Sequence, residues 1–426
     1  MSIIKTKMYP ELSLQDLYCN SENILDYQNR RFKKLENSFE NIFKIKPVKY
    51  FSSPGRVEIS GNHTDHNHGK VIAASINLDS IAAASPNSDS EVVLYSESYP
   101  DPFIIDLSET KPVEEEKAST KALIRGIAAG FKNNGYKIGG FNAYVSSDVL
   151  IGSGLSSSAS IEVLIGTIFN KFYNDGKIPS EEIAIIGQHA ENKYFGKPSG
   201  LMDQVACIIG GIVEIDFYIP EKPVIKKIDF DFQTTGYKLV VVDTEVSHAN
   251  LTEDYTAITE EMKRVAKYFN KEYCSEITLE ELFDQIKLLR KVVGDRAILR
   301  AIHFLEENKR VEKQICALNK NNFEEFLSLV NESGNSSYKY LQNIYTPQNV
   351  NEQSVSLALA MSDIFIREMG KGACRVHGGG FAGTIELILP EESLDNYKAF
   401  ITKVFKEDSV KVLSIRLHGA VCLTDL

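Results

Sequence analysis

Residues 152–159 form a run of small and hydroxylated residues that reads Gly-Ser-Gly-Leu-Ser-Ser-Ser-Ala. The run follows a predicted strand and precedes an apolar stretch of helical periodicity that continues to about Tyr173, so it opens a helix. Glycines allow close approach to the backbone, hydroxyls donate hydrogen bonds, and a helix N-terminus offers oriented N–H groups. A bare Gly-x-Gly before a helix is more often an ordinary turn and cap. The three consecutive serines favour a phosphate-binding loop.

Motifs that the sequence lacks exclude two common phosphate-binding classes. The chain contains no Gly-x-x-x-x-Gly-Lys-Ser/Thr loop, which excludes the P-loop NTPases. It also lacks the His-Arg-Asp and Asp-Phe-Gly elements of protein kinases. A different nucleotide-binding fold is therefore required.

Length and charge limit the architecture and the partners. With 426 residues and 43% hydrophobic composition, the chain exceeds what one core usually organises, which predicts two domains. Its 58 acidic and 47 basic residues give a net charge of -11, which repels nucleic-acid backbones and anionic lipid. No stretch approaches the ~20 apolar residues of a membrane span, and residues 1–10 have no apolar secretory core. We expect a cytoplasmic protein with no nucleic-acid or membrane partner.

The cysteines are scattered along the chain and form no Cys-x-x-Cys pair. This spacing predicts reduced side chains in the core instead of disulfides. The residues concerned are Cys19, Cys207, Cys274, Cys316, Cys374 and Cys422.

Hydrophobic periodicity predicts an α+β chain. Residues 21–46 carry apolar side chains at helical spacing between charged ones, the pattern of an amphipathic helix packed on a domain. Strands are then predicted at Val71–Ile76, Glu91–Tyr95, Phe103–Leu107 and Phe141–Val145, with a helix over Thr120–Asn133. Later predictions are a helix over 180–195, a strand over 238–243, long helices between 253 and 341, and a glycine-rich turn over 377–383.

We divide the chain into a helical extension over 1–45, an N-terminal domain over 46–220 and a C-terminal domain over 221–426. No linker rich in Pro, Gly or Ser marks the boundary near residue 220, so the sequence places it only to within tens of residues. No internal repeat or low-complexity tract suggests a different division.

Several motifs resemble those of one kinase superfamily. The loop at 152–159 resembles the Gly-Leu-Ser-Ser-Ser-Ala motif of the GHMP kinases, which include galactokinase, homoserine kinase, mevalonate kinase and phosphomevalonate kinase. Residues 53–69, Ser-Pro-Gly-Arg-Val-Glu-Ile-Ser-Gly-Asn-His-Thr-Asp-His-Asn-His-Gly, are similar to the galactokinase-family signature Pro-Gly-Arg-Val-Asn-Leu-Ile-Gly-Glu-His-Thr-Asp-Tyr-Asn-Gly-Gly. Residues 200–204, Gly-Leu-Met-Asp-Gln, resemble the family's Gly-Ile-Met-Asp-Gln, and residues 374–383 resemble its glycine-rich third motif.

His248 and Tyr255 also match a His…Tyr spacing near that family's sugar pocket. The resemblance covers roughly residues 48–420. It implies a two-domain α+β fold of the GHMP-kinase kind, with the active site between the domains.

Four of the differences from the family form matter here: Glu58 replaces Asn, Ser60 replaces Ile, Asn62 replaces the acidic residue, and His66 replaces Tyr. In the family, the acidic residue at position 62 is associated with recognition of a sugar hydroxyl. An amide both donates and accepts hydrogen bonds, whereas a carboxylate only accepts. Galacturonate kinases of the superfamily likewise lack the acidic residue and carry His in place of Tyr. A sugar with an altered or anionic C6 is therefore an alternative to galactose.

The histidines of this segment also allow a metal interpretation. His63, His66 and His68 form a His-x-x-His-x-His pattern beside Asp65, which taken alone fits a transition-metal site. Polar side chains that bind sugar hydroxyls explain the same residues, because a carboxylate can accept from two adjacent hydroxyls. The three kinase motifs together favour the sugar over the metal, and over a solvated polar turn.

The resemblance implies roles for individual residues. Asp203 would accept the proton of the C1 hydroxyl or orient that hydroxyl, and Arg56 beside it would lower its pKa and stabilise transition-state charge. Taken alone, Asp203 could instead cap the following helix. Ser158 and Glu191 match the superfamily's positions around Mg²⁺. The other implied residues bind ATP, namely Gly152, Gly154, Leu155, Ser156, Ser157, Ser158 and Ala159, or the sugar, namely Asn62, His63, Asp65, Gly200 and Tyr255.

The activity implied by the resemblance is ATP- and Mg²⁺-dependent phosphorylation of the anomeric C1 hydroxyl of galactose, by a monomer or weak homodimer whose partner is a small sugar. One alternative is a kinase for a related sugar such as galacturonate or N-acetylgalactosamine. Another is a non-catalytic sugar sensor on the same fold. Since the serine-rich loop, Arg56, Asp203 and Glu191 are all present, we expect an active enzyme.

Overall fold

The computed structural model describes residues 11–18, 22–149, 154–197, 199–220, 222–245 and 251–423. The strands within these ranges form two sheets. They are β1 (Glu11–Leu12), β2 (Lys49–Ser60), β3 (Lys70–Pro86), β4 (Glu91–Ser96), β5 (Phe103–Asp106), β6 (Phe141–Ser147), β7 (Ile212–Asp216), β8 (Val224–Ile228), β9 (Tyr237–Asp243), β10 (Ala373–Val376), β11 (Thr384–Pro390), β12 (Val410–Leu413) and β13 (Val421–Leu423).

The helices of the same ranges cover the faces of these sheets. They are α1 (Leu14–Tyr18), α2 (Glu22–Phe43), α3 (Thr120–Asn133), α4 (Ser157–Tyr173), α5 (Ser180–Ala190), α6 (Met202–Ile209), α7 (Thr252–Tyr268), α8 (Leu279–Val293), α9 (Asp295–Asn319), α10 (Phe323–Ser336), α11 (Ser354–Met369) and α12 (Leu394–Ile401). Of the helices in these described ranges, none has the length and apolarity that crossing a bilayer requires.

The larger sheet has the strand order β1-β13-β2-β3-β6-β4-β5, with β7 and β8 joined to the other half of β3. Strand β3 pairs with β6 through residues 80–86 and with β7 through residues 70–74. Because side chains alternate along a strand, Ala82 and Ala84 face the core formed with α3–α6, while Ile81 and Ala83 face α2. The sheet is therefore covered on both faces.

Helix α2 confirms the amphipathic helix predicted over 21–46. Phe32, Leu35 and Phe39 lie three and four positions apart and are buried against the sheet. The strands and helices predicted between residues 71 and 173 are likewise confirmed, and the helix over Thr120–Asn133 has the predicted bounds. The helix predicted over 180–195 is α5 followed by the π-helical turn Glu191–Phe195.

The smaller sheet has the order β10-β11-β9-β12 and packs against α11 and α12 on one face. On its other face, Leu239 and Val241 share an apolar cluster with Val57 and Ile72 of the larger sheet. This shared core fixes the two sheets relative to each other. The domain boundary near residue 220 stays a prediction.

The cysteine prediction needs one correction. Cys207, Cys274, Cys374 and Cys422 are buried and free, as predicted, whereas Cys316 is exposed. Cys316 lies on the solvent side of α9, since its neighbours Ala317 and Leu318 take the core-facing positions there. Cys19 lies outside the described residues.

Candidate active site

The phosphate loop lies where β2, the N-terminus of α4 and the turn after β10 meet. Its described part begins at Gly154, so the predicted ligand Gly152 lies outside the described residues. Gly154 has a φ of 73°, and a β-carbon there would lie 3.1 Å from Thr384 Oγ1 and 3.2 Å from His377 Nδ1. Both the backbone conformation and the narrow space favour glycine at this position.

The apolar residues of the loop anchor it to β2. Leu155 and Ala159 are fully buried, and the backbone N–H of Arg56 donates to the Leu155 carbonyl at 3.1 Å. A β-carbon at Gly55 would lie only 2.7 Å from the same carbonyl, which explains a glycine in this bulged part of the strand. The buried side chains of Leu155 and Ala159 therefore anchor the loop in the core.

The serines carry the polar chemistry of the loop. Ser156 has a φ of 60° and its hydroxyl donates a short hydrogen bond to Asp203 Oδ2. Ser157 is the first residue of α4 and is half-buried, and Ser158 Oγ donates to Glu191 Oε1 at 3.1 Å. The first N–H groups of a helix have no partner within it, so this end of α4 suits an anion.

Arg56 and Asp203 form a bidentate ion pair beside the loop. Arg56 Nε donates to Asp203 Oδ1 and Nη2 to Oδ2, both at 2.7 Å, and Nη1 donates to the Gly154 carbonyl at 2.5 Å. Arg56 lies on β2 and Asp203 in the first turn of α6. The side chain of Asp203 is still 21% exposed, so a substrate hydroxyl can reach the carboxylate. The structure therefore brings the two predicted catalytic residues together.

The environment of Asp203 keeps it ionised. Burial raises the pKa of its carboxyl, but the Arg56 guanidinium and the Ser156 hydroxyl outweigh burial and leave the pKa below its ordinary value. The alternative role as a helix cap does not hold, because the residue at the N-cap of α6 is Leu201. The Asp203 side chain turns to Arg56 instead.

Glu191 lies on the other side of the loop, at the start of the π-helical turn that follows α5. Its carboxylate is almost fully buried and accepts from Lys197 Nζ at 3.0 Å, Ser199 Oγ at 2.6 Å and Gln204 Nε2 at 3.1 Å. With Ser158, it offers a carboxylate and a hydroxyl next to the helix N-terminus. Such hard oxygen ligands are those that Mg²⁺ prefers.

Residues of the 53–69 segment lie next to the Arg56–Asp203 pair. A β-carbon at Gly200 would overlap the Asp65 carboxylate, so glycine leaves space for this side chain three positions before Asp203. His63 Nε2 lies 2.8 Å from the Gly379 carbonyl. Burial, and next the neighbouring His66, lower the pKa of His63 to about 4, so its ring is neutral at physiological pH.

Tyr255 closes this side of the site. Its hydroxyl donates to the Gly380 carbonyl at 2.9 Å, and its ring lies parallel to that of His63 with centroids 6.4 Å apart. His248, which the sequence paired with Tyr255, lies outside the described residues. Asn62 is inaccessible to solvent and hydrogen-bonded to Glu58, Gly378 and Asn343.

The transition-metal interpretation receives no support. His68 stacks on Tyr273 with ring centroids 3.5 Å apart, away from His63. Within the described ranges, no group of three or more His, Cys, Asp or Glu side chains is arranged to hold a metal ion.

Sequence reasoning missed several side chains that support the site. His377 Nε2 accepts from the backbone N–H of Glu58 at 3.2 Å, so Nδ1 carries the proton and faces Thr384 Oγ1 at 3.0 Å. Lys197 pairs with Glu191, and Asn343 contacts Asn62. His377 lies inside the glycine-rich motif and could have been found there. Lys197 and Asn343 lie outside all the quoted motifs and carry no such signal.

Family models agree with this geometry. A model of the GHMP kinase N-terminal domain matches residues 122–211. A model of the galactokinase galactose-binding signature matches residues 37–86. The matched residues include the serines of the phosphate loop, Glu191 and Asp203 in the first model, and the whole sugar signature in the second.

Known proteins and solved structures extend the similarity to most of the chain. Galactokinase of Clostridium tetani is 30% identical over 394 residues, which cover 89% of this chain and 93% of that protein. Galactokinase of Limosilactobacillus reuteri is 29% identical over 381 residues, covering 87% and 93%. The crystal structure of Lactococcus lactis galactokinase complexed with galactose has a TM-score of 0.77 and 25% identity, covering 93% of this chain and 100% of that one. A crystal structure of mevalonate kinase, 19% identical with a TM-score of 0.59 and coverage of 86% and 99%, shares the fold.

The predicted α+β fold of the GHMP-kinase kind is thus confirmed. The two family models together cover the loop, Arg56, Asp203 and the signature. We conclude that this chain belongs to the galactokinase family of the GHMP kinases.

Proposed function

We propose that this protein transfers the γ-phosphoryl group of ATP to the C1 hydroxyl of galactose, giving galactose 1-phosphate and ADP. The observation that carries the proposal is the position of the Arg56–Asp203 pair. On one side Arg56 binds the carbonyl of Gly154 in the phosphate loop. On the other side Asp203 lies three residues after Gly200, which contacts Asp65 of the sugar signature. The pair therefore lies between a site for phosphate and a site for sugar.

Asp203 would act on the attacking C1 hydroxyl, and Arg56 would act on the phosphoryl group that is transferred. The C1 oxygen forms a bond to the γ-phosphorus as the bond from that phosphorus to the β-bridging oxygen breaks, and ADP leaves. Because the pKa of Asp203 is lowered, its carboxylate is ionised and accepts a hydrogen bond from the C1 hydroxyl, whose proton it receives as the new bond forms. Arg56 offsets negative charge on the transferring group. Phosphoryl transfer through a loose transition state needs positioning more than a strong base.

Ser158 and Glu191 would hold Mg²⁺, since the oxygens of a hydroxyl and a carboxylate suit this ion. When bound, Mg²⁺ would neutralise charge on the nucleotide phosphates. Lys197 now occupies one oxygen of Glu191, but its side chain is 57% exposed and can turn toward a phosphate. Gly152, Gly154, Leu155, Ser156, Ser157 and Ala159 complete the proposed nucleotide-binding loop.

The sugar would lie against Asp65, Gly200, His63 and Tyr255. Asp65 can accept from two adjacent hydroxyls. The neutral ring of His63 has one donor and one acceptor, and Nε2 faces the carbonyl of Gly379. Nε2 therefore carries the proton, and Nδ1 is the acceptor that is left for a sugar hydroxyl.

The test is a sugar panel with coupled detection of ADP, using wild type and Asp203→Asn. Wild type is expected to turn over galactose faster than galacturonate or N-acetylgalactosamine. Asp203→Asn is expected to fold and to lower kcat at least ~100-fold, because the ionised acceptor is lost. The matched control is Asp295→Asn, which alters an exposed bidentate pair with Arg290 far from the site. Near-wild-type turnover by folded Asp203→Asn would contradict the assignment, and absence of ADP with every sugar would support a sensor.

A further inference from the structure

Glu58 and Asn62 stand in the reverse order of the family signature, which has the amide first and the acid four residues later. In the structure these two side chains touch, and Asn62 Nδ2 donates to Glu58 Oε1 at 3.0 Å. Two residues that exchange acid and amide can form the same kind of hydrogen bond with donor and acceptor reversed. The two departures are therefore one coupled change.

The carboxylate of Glu58 is buried and neutralised within the protein. Its side chain is 6% exposed and accepts from Arg375 Nη2 at 3.1 Å, while Arg375 Nη1 donates to the Glu58 carbonyl at 2.8 Å. Arg375 is completely buried. A buried charge of this kind is stable only with its partner in place. The carboxylate at position 58 is therefore tied to β10 and does not face a ligand.

The amide of Asn62 has no hydrogen-bonding capacity left for a sugar. Besides Glu58, its Nδ2 donates to the Gly378 carbonyl at 2.6 Å. Its Oδ1 accepts from Asn343 Nδ2 at 2.7 Å and Ser337 Oγ at 3.4 Å. An amide has two N–H donors and two lone pairs, and all four are used here. Any effect of this side chain on the sugar must pass through the groups that it holds.

Among the groups that Asn62 holds, the turn Gly378–Gly380 is the one that links it to the proposed sugar site. Its three consecutive carbonyls are bound in order by Asn62, by His63 at 2.8 Å and by Tyr255 at 2.9 Å. A β-carbon at Gly379 would lie 2.6 Å from the Tyr255 ring, so the turn and the ring are in close contact. A shift of the first carbonyl would therefore move the supports of both sugar-facing rings.

We propose that Glu58 is a positioning residue for sugar binding. It orients the Asn62 amide, and this amide fixes the Gly378 carbonyl and with it the turn behind His63 and Tyr255. The inference rests on the proposed function, because it takes these two rings as part of the sugar site.

The test uses Glu58→Asn, Asn62→Glu and the double variant that carries both changes. Asn62→Glu removes the N–H donor that lies between Glu58 Oε1 and the Gly378 carbonyl and places a second carboxylate beside Glu58. Glu58→Asn shortens the side chain so that it no longer reaches Asn62. We expect each single change to raise the KM for galactose at least ~10-fold and the KM for ATP less than ~2-fold. The double variant also lacks an N–H donor for the Gly378 carbonyl at position 62. Because Glu58 acts only through this amide, we expect the galactose KM of the double variant to lie within ~3-fold of that of Asn62→Glu and not to show the product of the two single effects.

Glu58→Gln separates the hydrogen bond from the charge. Its side-chain oxygen can still accept from Asn62, so the galactose KM is expected to stay within ~3-fold of wild type while thermal stability falls, since Arg375 loses its anion. The matched control is Glu261→Gln, which removes a buried anion from Arg300. It is expected to lower stability and leave the galactose KM unchanged.

Three results would overturn the proposal: single-variant effects that simply multiply in the double variant, a Glu58→Gln variant as impaired in galactose KM as Glu58→Asn, or changes confined to ATP. The unfolding free energies of wild type, Glu58→Asn, Asn62→Glu and the double variant give an independent measure of coupling between positions 58 and 62. If wild type does not phosphorylate galactose, the proposed function fails. Coupling in these unfolding energies then still supports the pairing, and its absence refutes it.

Discussion

At the scale of single residues, each acidic group of the site has a different cation or donor. Asp203 is held by Arg56, Glu191 by Lys197, and Glu58 by Arg375. Opposite charges keep Asp203 ionised despite burial. Because each of these three carboxylates has its own cation, the charge of one does not depend on the partner of another. Each can therefore be altered individually.

Glu191→Gln is expected to raise the Mg²⁺ concentration for half-maximal activity at least ~10-fold, because an amide is a weaker ligand for this ion than a carboxylate. The maximal rate at saturating Mg²⁺ is expected to fall less. The measurement is a Mg²⁺ titration of ADP formation at fixed ATP and sugar.

Glu97→Gln is the matched control for this titration. Glu97 likewise accepts from a serine hydroxyl, Ser146 at 2.6 Å, and pairs with a lysine, but it lies outside the site. Its Mg²⁺ requirement is expected to equal that of wild type. An unchanged requirement in Glu191→Gln as well would exclude Glu191 as a ligand.

At the scale of elements, the phosphate loop is confined between the two sheets. Gly55 of β2 allows the Leu155 carbonyl to approach from one side, and Thr384 and His377 border Gly154 on the other. The loop conformation thus depends on packing as well as on its own glycines. A side chain added at Gly55 or Gly154 would displace the loop from the position that the proposed phosphate site requires.

Gly154→Val is therefore expected to abolish binding of ATP, measured by calorimetry. A β-branched residue is strained at a φ of 73° and would press on two buried side chains. The protein is expected to remain folded, since Gly154 lies in a loop outside the helices and strands.

Gly135→Val is the matched control for the loop. Gly135 has a φ of 77°, but a β-carbon there would meet no atom within 4 Å. It carries the same backbone strain without the contacts, and ATP affinity is expected to be unchanged. Equal ATP affinity in wild type and Gly154→Val would show that the loop does not bind the nucleotide.

At the scale of the whole molecule, one buried acid sets a pH dependence of stability. Glu386 on β11 is 1% exposed, and neither of its carboxylate oxygens has a hydrogen-bond partner among the described residues. Burial raises its pKa to about 8, despite the nearby Arg375. The folded state therefore binds a proton that the unfolded state releases above its ordinary pKa of about 4.3. Stability from this group is greatest at acid pH and falls as pH rises toward 8.

Glu386→Gln is expected to remove this dependence. The gain in unfolding free energy of the variant over wild type is expected to be about 3.5 kcal/mol larger at pH 8 than at pH 5, because ~1.4 kcal/mol per pH unit accumulates until the acid is half-ionised near pH 8. Urea unfolding at both pH values measures it. Exposed Glu392→Gln serves as the control and is expected to show no such difference. Equal gains at the two pH values for Glu386→Gln would mean that the acid is ionised in the folded state.

The sequence predicted most elements and the motifs of the site because these depend on local patterns. Apolar spacing located α2 and α3, and the glycine–serine run located the start of α4. The resemblance named Arg56 and Asp203, which the structure joins although 147 positions separate them. Their individual roles, like those of the other proposed site residues, stay predictions.

What the sequence could not predict are the contacts between segments that are distant along the chain. Asn343 reaches Asn62 from the turn after α10, and Arg375 reaches Glu58 across the two sheets. Neither contact leaves a periodic or local signal. The exchange of acid and amide was visible in the signature, but its coupling became evident only when the two side chains were seen in contact.

The position of β13 has a consequence for how the molecule is made. Residues 421–423 pair with β2, the strand that carries Arg56, and with β1 on their other edge. A ribosome must therefore synthesise all residues from 11 to 423 before these strands can pair, so the sheet is completed late. Contacts between such distant positions also slow folding. Until β13 pairs with it, this edge of β2 has unpaired N–H and C=O groups, and an edge of that kind can pair with another chain.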